Sequence, residues 1–356
     1  MLSPWLDASL EKIVAPAAGV PHALLLYGQA GIGKRNLGLA LARSLLCESD
    51  PAKKARDGCG GCGACPSCLW FDQGNHPDFR HVTSEAIALQ AGIETVDDDG
   101  DDAELQEAAT PRPKRAPSKE IRIEQIRALH AFLSVATHRG RYRIVFLHPL
   151  EALNEIASNA ILKMLEEPPP ETIFILLADH VGRIKPTILS RCRKIFVPTP
   201  PREMALAWLE AQGVASAETL LAASGGAPFA ALLASTDEDT MRLHRQFVDY
   251  LARPDADYAL ATAEAFAKLA PAQIVAWMQQ WLADCIAMRM ATRVRYHPAH
   301  SSTIAALVQR SRLDALLTMD QHLASIRRTV DHPLNARLML ETLLLAYADA
   351  MAATAA

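Results

Sequence analysis

The chain has 356 residues, of which half are apolar and 21% charged, and its formal net charge is -4 at pH 7. That length exceeds one small core and predicts two or three domains. The near-balanced charge excludes a general electrostatic attraction to nucleic acid, and no uncharged apolar run is long enough to span a bilayer.

The N-terminal stretch MLSPWLDASLEKIV carries Asp7, Glu11 and Lys12 where a secretion signal needs apolar residues. A cytoplasmic protein is therefore expected, with seven cysteines that serve as ligands, reactive groups or core residues rather than disulfides. Trp5, Leu6, Leu10 and Ile13 mark a short amphipathic helix, and HALLLY (22–27) reads as a buried strand. GQAGIGK follows, with Gly28, Gly33 and Lys34 at phosphate-loop spacing and Gly31 adding flexibility, and Leu37, Leu41 and Leu45 give the next helix. The residue after Lys34 is Arg35, where a working loop carries the Ser or Thr hydroxyl that coordinates Mg²⁺. Backbone N–H groups and Lys34 still offer a cradle for phosphate at the helix N-terminus, so nucleotide binding stays open.

CGGCGACPSC places Cys59, Cys62, Cys65 and Cys68 three apart, with Cys47 upstream. Two-residue spacers turn successive thiolates toward one ion, and four thiolates suit a closed, structural Zn²⁺ site. One of the five cysteines is surplus, and redox thiols or an iron–sulfur cluster are the competing readings. Residues 85–119 are acidic, then basic and proline-rich, with little to bury, and predict a disordered surface insertion.

RIVFL (143–147) and TIFILLA (172–178) are β-branched apolar strands, separated by a helical segment, LNEIASNAILKMLEEPPP, that three prolines close. This alternation predicts a mainly parallel sheet covered on both faces. His148 and Pro149 stand after RIVFL where an ATPase needs acidic residues to hold Mg²⁺ and orient water, with Glu151 shifted along the chain. Arg35, His148 and Pro149 together predict no ATP hydrolysis. In TILSRCRKIF, Arg191 follows a short predicted helix and precedes a strand. An arginine fixed at such a corner can stabilise a neighbour's transferring phosphate, or simply pair with a local carboxylate. Beyond KIFVPTPP (194–201) the pattern is helical, broken by SGGAP (224–228) and by STDEDT (235–240), where a last helical domain begins.

These segments resemble the delta-prime family of bacterial DNA polymerase III clamp-loader subunits, in the AAA+ class, over nearly the whole chain. The resemblance rests on HALLLYGQAGIGKRNLGLALARSLLC, CGACPSC with LWFDQGNHPDF, IRIEQIRAL (121–129), NAILKMLEEPPPETIFIL, KPTILSRC and NARLMLETLLL (335–345). It implies an α/β AAA+ P-loop domain with an inserted zinc module over 1–197, a small helical lid over 198–238 and an all-helical collar over 239–356. It implies a stator subunit that does not turn over ATP, and zinc ligands at Cys47, Cys62, Cys65 and Cys68, leaving Cys59 surplus or a substitute for Cys47. It implies that Arg191, within Ser190-Arg191-Cys192, reaches the ATP site of an adjoining gamma or tau subunit. The implied partners are gamma/tau and delta subunits and, through the complex, the sliding clamp and primed DNA, with no membrane. Two rivals remain: an ATP-hydrolysing gamma/tau motor, opposed by Arg35 and His148-Pro149, and a DNA-binding zinc module, opposed by the lack of a basic helix beside the cysteines.

Overall fold

The computed structural model describes residues 2–14, 20–49, 60–92, 117–139, 141–291, 293–329 and 335–352. The chain separates into two compact units, Met1–Pro200 and Pro201–Ala356.

In the first unit, helix α1 (Pro4–Val14) buries the four expected residues, Trp5, Leu6, Leu10 and Ile13. Strand β1 (Ala23–Tyr27) leads through the glycine loop into α2 (Lys34–Leu46). Then come α3 (Pro66–Asp72), β2 (Phe79–Val82), α4 (Glu85–Ala91), α5 (Ile123–Ser134), β3 (Arg143–Leu147), α6 (Glu155–Glu166), β4 (Thr172–Ala178), α7 (Pro186–Leu189) and β5 (Arg193–Phe196). Among the described residues the five strands form one sheet in the order β2-β3-β4-β1-β5, and every neighbouring pair is parallel. All residues of β3 and β4 are buried, which is why their sequences are continuous apolar runs rather than alternating ones. Leu25, Val145, Leu147, Phe174 and Leu176 share one core with Ile126, Leu129, Ile161 and Leu165 from α5 and α6.

One strand is added to the sequence reading here, and one expectation changes. Strand β2 reads FRHV, too polar to signal a strand, because it is the sheet's outer edge and only Val82 is buried. The insertion expected over 85–119 does not begin at 85: Glu85–Ala91 form α4, tied down where Ala86 N–H donates to Ser118 O at 3.1 Å. Residues 93–116, with most of the acidic and proline-rich stretch, and Cys59 lie outside the described residues.

The second unit is helical among the described residues. Helices α8 (Arg202–Ala211), α9 (Ala217–Ala223) and α10 (Pro228–Ser235) pack around Ala205, Leu209, Leu220, Leu221 and Ala231. A separate, larger core centres on Phe247, Trp281, Leu344 and Tyr347. It is built from α11 (Glu238–Ala252), α12 (Ala256–Phe266), α13 (Pro271–Ala291), α14 (Ser301–Arg310), α15 (Leu313–Thr329) and α16 (Ala336–Ala352). The two compact units are divided at Pro200–Pro201, and near 238, where a further boundary is expected, the packing changes from one core to another. Asp237 marks it by capping α11, its carboxylate accepting from Thr240 N–H at 2.9 Å. Trp281 Nε1 donates to the Tyr347 hydroxyl, which donates on to Leu251 O, both at 2.7 Å, so one fully buried polar chain ties α13, α16 and α11 together.

Candidate functional site

The glycine loop has phosphate-loop geometry but is filled from within. Gly28 (φ 155°) lies so close to the end of β5 that a Cβ there would sit 2.4 Å from Val197 O. Lys34 is 6% exposed. Its ammonium donates to Gly28 O at 2.8 Å and Gln29 O at 2.6 Å, and pairs with Asp179 at 2.6 Å. An ammonium has three donors, and all three are engaged within the chain here. Trp5 Nε1 donates to a further loop carbonyl, Ile32 O, at 2.9 Å, which anchors α1 to the loop.

Asp179 escaped the sequence reading because it comes straight after β4, and only the sheet order, with β4 beside β1, brings it to Lys34. Glu151 has a defined task as well: its Oε1 accepts from Asp179 N–H at 2.6 Å and His180 N–H at 2.5 Å, and so shapes the end of β4. The place of the missing acids holds bases. Burial pushes His148 down to about 4, with Arg35 and Lys34 adding to the effect and Asp179 opposing it. Burial, with Arg35 and His148, pushes His81 down to about 3. The Arg35 guanidinium is itself half-buried, its pKa lowered by burial, and its Nε has no partner. A divalent cation would here meet a half-buried guanidinium in place of a loop hydroxyl, with neutral imidazoles at the ends of β2 and β3.

The cysteines do converge. The ligand atoms of Cys47, Cys62, Cys65 and Cys68 all lie within 4.8 Å of one another, and Cys47 and Cys68 are buried. Four sulfurs at the usual Zn–S bond length stand ~3.8 Å apart in a tetrahedron, so the set fits one zinc-sized ion with little movement. Cys47 caps the end of α2, and Cys65 precedes α3. Cys62 N–H donates to Cys47 Sγ, and Cys65 N–H to Cys62 Sγ, both at 3.3 Å. The turn needs its glycines: Gly60 has φ 68°, and a Cβ there would sit 2.1 Å from Ala40 O. The Ser49 hydroxyl and the backbone N–H groups of Ala64 and Cys65 pull the Cys62 thiol down to about 5. Burial, with Cys65 and Cys47, pushes Cys68 up to about 12. Four neighbouring thiolates repel one another unless a cation compensates, so the donor set is chemically that of a metal site.

The module is bound to the sheet by side chains that the sequence reading passed over. Arg43 grips Asp72 through two bonds of 2.8 Å, and Arg141 donates to Cys47 O. The buried Asp78 carboxylate accepts from His138 N–H at 2.9 Å and Arg139 N–H at 3.2 Å, and Asp78 N–H donates to His76 Nδ1 at 3.1 Å. The His-Pro-Asp step therefore fastens the end of the module to the loop that leads into β3.

Arg191 stands between α7 and β5, as its sequence context predicts. Its side chain is 34% exposed; Nη1 donates to Thr187 O at 2.9 Å and Ser190 Oγ at 3.3 Å, and Nη2 pairs with Glu166 at 2.5 Å. Ser190 Oγ donates to Thr187 O at 3.0 Å. Cys192 is a core residue, its thiol pushed up to about 11 by burial. The motif is thus one presented guanidinium on a hydroxyl-braced turn, with a thiol that anchors the turn in the core.

A parallel sheet in this order, a glycine loop after β1, which lies between β4 and β5, and a helical second unit define a protein of the AAA+ class. The model of the family "DNA polymerase III, delta subunit" matches residues 9–200, and that of its C-terminal part matches residues 239–349. The chain belongs to this family, in its delta' branch. It is 33% identical over 249 residues to DNA polymerase III subunit delta' of Pseudomonas aeruginosa, an alignment covering 69% of this chain and 62% of that relative. It is 29% identical to the Escherichia coli subunit delta' over 359 aligned residues, covering 96% of this chain and 94% of the relative. A DNA polymerase III gamma subunit-related protein of Thermotoga maritima aligns with 98% of this chain and 99% of its own, at 15% identity and a TM-score of 0.46.

Proposed function

We propose that this chain is the non-hydrolysing stator of a clamp loader, assembled with gamma/tau and delta subunits to place a sliding clamp on primed DNA. In this reading residues 1–197 are the AAA+ domain, 198–238 a helical lid and 239–356 the collar through which subunits associate. The chain keeps a phosphate loop for packing and gives Arg191 to the ATP site of the adjoining motor subunit. One contrast carries the reading: every donor of Lys34 is used internally, whereas Arg191 stands partly exposed on a braced turn. Family membership supports a place in a clamp loader. The four thiols are proposed to hold one structural Zn²⁺, which when bound would fix the segment after α2 and take no part in phosphate chemistry.

In such a site the guanidinium's part is electrostatic. A planar cation with fixed N–H directions stabilises charge as it builds on the transferring phosphate's oxygens, and a lysine cannot reproduce that fork. The test is Arg191→Ala in the complex reconstituted with gamma/tau and delta subunits, scored for assembly, clamp loading on primed DNA and ATP turnover. Assembly should persist and turnover should fall. A finger is worth about 10³–10⁵ in rate at the site it serves, and the whole complex should lose less where other sites keep their own fingers. Arg191→Lys should fail to rescue. The chain alone should not hydrolyse ATP. Wild-type turnover from a fully assembled Arg191→Ala complex, or steady Lys34-dependent hydrolysis by the isolated chain, refutes the reading.

A further inference from the structure

Glu166 is the last residue of α6, where the helix dipole disfavours a negative charge. It is nevertheless held there, its Oε1 2.5 Å from Arg191 Nη2. Pro168, Pro169 and Pro170 follow closely and stop the helix, so the position of this carboxylate relative to α7 is fixed by backbone that cannot wind further. From the other side, Thr187 O and Ser190 Oγ hold Nη1. A guanidinium has five N–H donors; two on Nη1 and one on Nη2 are engaged here, which leaves Nε–H and the second Nη2–H without a partner among the described residues.

We propose that Glu166 is a positioning residue for Arg191. It fixes the plane of the guanidinium and leaves one edge for a neighbour's phosphate oxygens. This rests on the finger reading of Arg191 and assigns to Glu166 the work of setting that finger in advance. The pair is half-exposed, 34% on Arg191 and 48% on Glu166, so it contributes little to folding. Its effect is on the arginine's freedom: a long side chain already ordered does not lose rotamer entropy when the transition state forms. Such an effect acts on turnover and not on nucleotide affinity.

The experiment compares Glu166→Ala, Glu166→Gln and the Arg191→Ala/Glu166→Ala double variant with Arg191→Ala, all in the assembled clamp loader with clamp and primed DNA. The quantity read is the part of ATP turnover that Arg191→Ala removes. Glu166→Ala should reduce that part about 2–10-fold, the cost of ordering one long side chain at the moment of reaction. The KM for ATP and the yield of assembled complex should not change. Glu166→Gln should recover most of the loss, because its amide oxygen still accepts from Nη2. The double variant should match Arg191→Ala alone, since Glu166 acts only through the arginine. If Arg191→Ala is impaired and Glu166→Ala is not, the positioning role fails and the finger stands. If Arg191→Ala itself has wild-type turnover, both fail. A Glu166→Ala loss that adds to that of Arg191→Ala, or that follows lost assembly, also overturns the proposal.

Discussion

Replacing Lys34 by Met separates a loop kept for packing from a loop kept for nucleotide. The substitution preserves the buried stem and removes the ammonium. Two carbonyls, Gly28 O and Gln29 O, and the Asp179 carboxylate then lose their donor. Hydrogen bonds from charged groups contribute about 1.5–3 kcal/mol each, and the ammonium's own desolvation, several kcal/mol, offsets much of their sum. Asp179 is 33% exposed and rehydrates, so its share is discounted to the ~0–1 kcal/mol of a surface pair. Gly28 O has no such access, and a buried unsatisfied acceptor costs about 1–3 kcal/mol. The net expectation is a loss of about 2 kcal/mol. For a unit of this size that lowers the melting temperature by about 4–8 °C. The assay is thermal and urea unfolding of the full, zinc-loaded chain, with ATP binding titrated in parallel. Asp179→Asn should cost less, about 1 kcal/mol or below, because an amide oxygen still accepts from Nζ. A Lys34→Met chain with stability within about 0.5 kcal/mol of wild type that also loses a measurable ATP affinity would show that the loop works as a phosphate site.

Freshly purified, reduced protein should carry one zinc per chain by metal analysis; Cys47→Ser and Cys68→Ser should lose it and Cys59→Ser should keep it, and full retention by Cys47→Ser would displace Cys47 from the ligand set. Burial holds His81 at about 3 and His148 and His244 at about 4, below the ordinary histidine value of 6.5. The unfolded chain therefore binds more protons than the folded one across that interval: stability is full above about pH 6.5, falls on acidification and levels off near pH 3–4, by on the order of 3–5 kcal/mol per histidine. Urea midpoints at pH 7.5 and pH 5 check this, with His148→Gln expected to flatten the slope and an unchanged slope counting against it. Tyr347→Phe should cost about 1–3 kcal/mol, because it strips the buried Trp281 Nε1 and Leu251 O of their partner at once; a neutral effect in urea unfolding would mean that the core of the last helices relaxes around the loss.

The sequence carried the central strands almost to the residue, because β3 and β4 are buried on both faces and must be continuous apolar runs. It carried the cluster of thiols and the setting of Arg191 for a related reason: spacing and local order are properties of a chain read in one direction, whereas the preference for Cys47 over Cys59 came from the family resemblance and not from spacing. What escaped it depends on which strands lie side by side. Asp179 meets Lys34 because β4 neighbours β1, and Glu166 meets Arg191 although 25 positions separate them in the chain. Strand β2 escaped for a different reason, since an edge strand with one buried residue has no apolar pattern to show. The front of the predicted insertion was misplaced because EAIALQA, acidic at its start, merges in composition with the acidic run that follows.

Strands β1 and β5 run parallel in register, Leu24 beside Arg193 and Tyr27 beside Phe196. The glycine loop leaves the far end of β1, while Arg191 enters just before the near end of β5. The sheet therefore carries its glycine loop at one rim and the Arg191 guanidinium at the other, a strand's length away. Where the guanidinium of one subunit meets the glycine loop of the next head-to-tail, the row of subunits has a polarity. On the reading proposed above, a member whose cradle is filled by its own lysine can give to the next subunit but has nothing to receive from the one before. Such a chain belongs at the terminus of the row, and it sets where the series of working sites ends.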